Sequence, residues 1–87
     1  MSVRVTIETG SRADAELIAE RLPIKASADS WRGFGVIRLA VKGKRETNEL
    51  IDAVSRTFKE QRLQWARVRY DDEERVFKAN GNGHRAT

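Results

Sequence analysis

Residues 31 to 45, Trp-Arg-Gly-Phe-Gly-Val-Ile-Arg-Leu-Ala-Val-Lys-Gly-Lys-Arg, hold the densest mixture of rings and cations in this 87-residue chain. Aromatic faces offer stacking surface to nucleobases, and guanidinium groups make paired hydrogen bonds to phosphate. Alternation along a strand sends Ile37, Leu39 and Val41 to one side, toward a core. Phe34, Val36, Arg38 and Lys42 go to the other side, with Arg32 before them. Trp65, Arg67 and Arg69 repeat the ring-and-arginine alternation later in the chain. Together they predict a basic, aromatic sheet face suited to RNA or another single strand. The same face would equally serve as a homodimer or protein interface, because apolar patches mark protein contact as well.

A second cationic spot is Lys42-Gly43-Lys44-Arg45, placed just before a helix. Backbone N–H groups and the helix dipole favour an anion there. The glycine and Lys-Ser/Thr spacing of a Walker loop is absent. The expected binding set is therefore Arg32, Phe34, Arg38, Lys42, Lys44, Arg45, Trp65, Arg67 and Arg69.

Catalytic chemistry finds little to work with. The one histidine, His84, sits in a polar tail, and there is no cysteine. A Ser or Thr nucleophile then lacks a base to activate it. Glu16 and Glu20 lie one turn apart on a wet helix face. Asp71 to Glu74 do not have the spacing of a calcium loop and read as a solvated turn. The expectation is a non-enzymatic module without metal or cofactor.

Charge distribution sharpens the picture. The formal net charge is +4. Residues 1–30 and 71–87 each carry a net −1, while residues 31–70 carry +6. Twelve of the seventeen basic residues are Arg, the residue best matched to phosphate and carboxylate. Absence of cysteine fits a cytoplasmic protein. The chain has no apolar run long enough to span a membrane, and its opening residues alternate unlike a signal peptide.

The elements that must position these residues follow from periodicity. Val3, Val5 and Ile7 alternate with Arg4, Thr6 and Glu8, predicting strand β1. Ser11 caps a first helix whose stripe is Ala15, Ile18, Ala19 and Leu22, and Pro23 ends it. Residues 24–30 alternate weakly and predict an edge strand, β2. Arg32-Gly33 then makes a hairpin turn into β3, Phe34 to Lys42. Thr47 or Asn48 caps a second helix over about residues 47–61, with Leu50, Ile51, Val54 and Phe58 inward. Asp52–Arg56 and Arg56–Glu60 are expected i,i+4 pairs on its outer face. A strand β4 carries Ala66, Val68 and Tyr70 inward, and Arg75 to Ala79 form an optional short β5. Residues 1–79 are expected as one domain, with 80–87 a disordered polar tail.

The order β-α-β-β-α-β, with that optional last strand, predicts an α+β fold, a two-layer ferredoxin-like sandwich. If residues 24–33 were loop, the order would become β-α-β-α-β-β. In that case β3, the Lys-Gly-Lys-Arg turn and the second helix resemble the corresponding part of the Alba chromatin-protein fold.

Residues 32–39, Arg-Gly-Phe-Gly-Val-Ile-Arg-Leu, resemble the third-strand signature of RNA-recognition motifs. Arg32, Gly33, Phe34, Gly35 and Ile37 match it. Val36 and Leu39 stand where that signature has rings, and Arg4 stands where the family carries a first-strand aromatic. The resemblance implies base stacking on Phe34 and a phosphate contact from Arg32.

Overall fold

A computed structural model describes residues 2–79. Its elements are β1 (Val3–Thr9), α1 (Arg12–Glu20), β2 (Ala28–Trp31), β3 (Phe34–Val41), α2 (Lys44–Glu60), β4 (Trp65–Tyr70) and β5 (Glu73–Lys78). The five strands form one sheet in the order β2-β3-β1-β4-β5. Every neighbouring pair is antiparallel. The architecture is α+β. No helix among the described residues is long and apolar enough to cross a membrane. His84 and the expected polar tail at 80–87 lie outside the described residues.

Strand β1 is central because it can bury a full inward row. Val5, Ile7 and Thr9 are buried, while Arg4, Thr6 and Glu8 alternate with them. In β1 and β3, Ile7 faces Ile37 and Val3 faces Val41; on the other side Ile7 faces Val68. These side chains join Ala15 and Ile18 of α1 and Leu50, Ile51, Val54 and Phe58 of α2 in one core. Both helices therefore bury their stripes against the same side of the sheet. That side gains roughly 1.5–3 kcal/mol for each large apolar side chain fully buried. Among the described residues, no helix lies on the opposite side.

Local chemistry sets the helix ends. The Ser11 hydroxyl accepts the Asp14 N–H at 3.2 Å and starts α1. Helix α2 begins at Lys44, three residues before the start expected from the sequence, with Gly43 as its cap. Glu46 supplies the reason. Its carboxylate reaches back to accept the Lys42 N–H at 2.8 Å, satisfying a backbone donor that precedes the helix. Thr47, expected as a cap, is instead buried within the first turn and donates to the Gly43 carbonyl at 2.9 Å. Asp52, Arg56 and Glu60 are exposed as expected. The expected pairs among them are not made within 4.0 Å.

Residues 24–33 are not loop throughout. Strand β2 pairs Ala28 with Ile37 and Trp31 with Phe34. It is shorter than the expected 24–30 alternation. Ile24, Ala26 and Ala28 nevertheless all pack on the core, so the alternation has a physical origin without a ladder across its first half. The hairpin between β2 and β3 has Arg32 at φ 53° and Gly33 at φ 86°. Two successive left-handed residues give the tight turn whose twist suits antiparallel strands. At the other edge, the turn of the last hairpin is confined to Asp71 and Asp72; Glu73 and Glu74 belong to β5.

Candidate nucleic-acid interface

The helix-free face can be read row by row from the strand register, because directly paired residues point to the same side. One end carries Trp31 opposite Phe34. Next to Phe34 comes Gly10, then Trp65, continuing the pairing of Thr9 with Gly35 and with Ala66. The following row runs Asp29, Val36, Glu8, Arg67 and Val76. The row after that holds Arg38, Thr6, Arg69 and Glu74. Arg4 follows on β1. Rows are spaced by two residues, about 6.8 Å.

Phe34 and Trp65 are brought together as expected. Their ring centroids lie 6.0 Å apart at 68°, an edge-to-face contact. Trp65 is half-buried, and its indole lies over Gly10, where an added Cβ would sit 3.1 Å from Nε1. Part of the Trp65 ring is thus committed to the protein itself. The freer stacking surfaces are Phe34, 44% exposed, and Trp31, 54% exposed. Trp31 was missing from the expected set. Its signal was the hairpin: a two-residue turn at Arg32-Gly33 pairs Trp31 with Phe34 and puts both on one face. Arg32 lies with its guanidinium carbon 4.8 Å from the Trp31 ring centre, a cation–π contact at the rim of the aromatic end.

Val36 belongs to the outward row but is only 3% exposed. It is buried apart from the helix-covered core. Alternation places Val36 on this side, and it is covered there and not presented. Leu39 faces inward but is half-buried, since it lies beyond the last β2 pairing at Ala28.

Glu8 is the residue the sequence reading overlooked. It alternates with Arg4 and Thr6, so the same rule that placed those two on this face also placed Glu8. Arg67 donates from Nε to the Glu8 carboxylate at 2.7 Å, and its Nη2 lies 2.6 Å from the same oxygen. Arg69 Nη1 lies 3.9 Å from the other oxygen. Arg67 is therefore a bonded cation, held by a carboxylate in the middle of the face. Arg4 and Arg38 have no carboxylate within 4.0 Å among the described residues.

Lys42, Lys44 and Arg45 are exposed at the far end of β3 and the start of α2. Phe34 and Val41 are seven residues apart along β3, about 24 Å, so the fold does not gather this turn with the rings. The Glu46 carboxylate also occupies the backbone donor of Lys42, which weakens the case for an anion at that helix start.

The glycines of the Arg-Gly-Phe-Gly string have structural causes. Gly33 adopts the left-handed conformation of the hairpin. Gly35 is buried where α1 approaches β3. A Cβ there would fall 2.2 Å from the Ser11 carbonyl oxygen, 2.5 Å from Thr9 Oγ1 and 2.7 Å from Ala15 Cβ. Comparison of the chain with protein-family models, curated proteins and solved structures finds no match.

Proposed function

We propose that this protein is a small non-enzymatic module that binds single-stranded nucleic acid, RNA in preference, on its helix-free sheet face. Bases stack on Trp31 and Phe34, with the exposed part of Trp65 beside them. The backbone follows Arg32, Arg38 and Arg69, while Arg67 supports the face through Glu8. Lys42, Lys44 and Arg45 extend the positive field beyond the sheet and assist encounter more than contact. The observation that carries this reading is the pair of exposed rings, Trp31 and Phe34, sharing an uncovered face with guanidinium groups. We also read the strand order β2-β3-β1-β4 as a ferredoxin-like sandwich with β5 added at one edge. A cysteine-free chain of this kind suits the cytoplasm.

The test is fluorescence titration of the chain with a uridine hexanucleotide, following the tryptophans. Binding should weaken with salt, by about 20-fold between 50 and 200 mM if three phosphates are contacted. Trp31→Ala and Phe34→Ala should each lower affinity roughly 5- to 150-fold, from about 1–3 kcal/mol per stacked base. Absence of binding at 50 mM salt rejects the proposal. The competing reading, a protein or homodimer interface, rests on the same two exposed rings and predicts association that barely responds to salt.

A further inference from the structure

The helix-free face carries more than a diffuse positive charge. Arg38 and Arg69 stand directly opposite Thr6 on the two flanking strands. Arg4 is two residues from Thr6 on β1 and points to the same side. Thr6 is thus flanked by one arginine on each neighbouring strand and by a third on its own. These residues line an open concavity of about 680 Å³, to which the carboxylates of Glu8 and Asp71 also belong. Glu8 is drawn toward Arg67, at 2.6 Å, and only grazes Arg69, at 3.9 Å. Arginines from three strands that share one concavity can fork onto the oxygens of a single anion.

We infer that Arg4, Thr6, Arg38 and Arg69 form a discrete phosphate subsite, in which the arginines fork onto the phosphate oxygens and the Thr6 hydroxyl donates to one of them. The inference rests on the nucleic-acid reading for the source of the phosphate, not for the site itself. A singly charged backbone phosphodiester and a more highly charged free phosphomonoester share the anionic oxygens that these arginines would hold. Thr6 and Thr9, whose neighbour Gly10 lies under the Trp65 ring, are three residues apart on β1, about 10 Å, so the subsite is separate from the aromatic end. Arg67 is excluded from it by its bond to Glu8.

Two arms test the inference on the full chain. In the first, uridine hexanucleotide affinity is measured across salt concentrations. Loss of one single-strand phosphate contact lowers the log–log salt slope by about 0.7. Arg38→Gln and Arg69→Gln should each show that drop, whereas Phe34→Ala should weaken binding at unchanged slope. Both arginines are exposed, so these variants keep their fold. Unchanged slopes in both, with wild-type binding intact, overturn the subsite and leave the nucleic-acid reading standing. In the second arm, inorganic phosphate is titrated while the Thr6 amide and the Arg38 and Arg69 Nε–H resonances are followed. They should shift saturably in the wild type, and the Thr6 amide and the Arg69 Nε–H should stay still in Arg38→Gln. A saturable shift without oligonucleotide binding upholds the phosphate site and rejects nucleic acid as its source. No shift and no oligonucleotide binding overturn both.

Discussion

Glu8 decides how the arginines of the open face divide their work. By bonding Arg67 and lying near Arg69, it turns one cation into scaffolding and leaves Arg4 and Arg38 without a carboxylate partner among the described residues. A carboxylate at the centre of a phosphate-binding face also repels what the face attracts. Glu8→Gln retains an oxygen that can accept from Arg67 and removes the negative charge. Oligonucleotide affinity should rise several-fold. Stability should move by no more than about 1 kcal/mol, because the pair is partly exposed and so partly screened. Titration alongside urea unfolding checks both halves, and weaker binding would mean that Glu8 itself contacts the ligand. At this scale the sequence was largely legible, since alternation assigns Phe34, Arg38, Arg67 and Arg69 to one side. What it hid was commitment: that Trp65 lies on Gly10, and that Val36 is buried on the outward side.

At the scale of elements, the close approach of α1 to β3 is the tightest junction of the fold. The Thr9 hydroxyl donates to the Ser11 carbonyl at 2.6 Å, and Gly35 leaves the room for that turn. Gly35→Ala forces backbone and helix apart and should cost about 1–3 kcal/mol or more. Gly43→Ala is the matched control. Its backbone is extended, with φ 176°, and an added Cβ meets nothing within 4 Å, so the cost should not exceed the capping preference of glycine over alanine, about 1 kcal/mol. Urea midpoints of the two variants make the comparison, and equal costs would contradict the junction. Strands and helices were readable because both periods, two and 3.6, are clean here. The start of α2 was not, because Glu46 reaches backward and Thr47 turns inward, choices that depend on the arrival of β3.

For the whole molecule, one sheet face is spent on the core and no helix among the described residues covers the other, which carries two exposed rings. The proposed function requires that this face be free in solution. The chain should therefore sediment at its monomer mass from micromolar to 100 μM concentrations, at low and at high salt. Its tryptophan emission should not change with chain concentration. A salt-insensitive dimer with blue-shifted emission would favour the interface reading instead. The sequence by itself determined β1, both helices, β3 and β4, their inward rows and the concentration of positive charge in the middle of the chain, and left β2 and β5 open. Those properties are local, carried by side-chain alternation and caps a few residues apart. Only the tertiary structure decided which cations are free. Glu8 and Arg67 are 59 residues apart, and Arg38 and Arg69 meet across Thr6 from different strands. Such meetings depend on sheet register, which is settled when the whole core packs and not by any one segment.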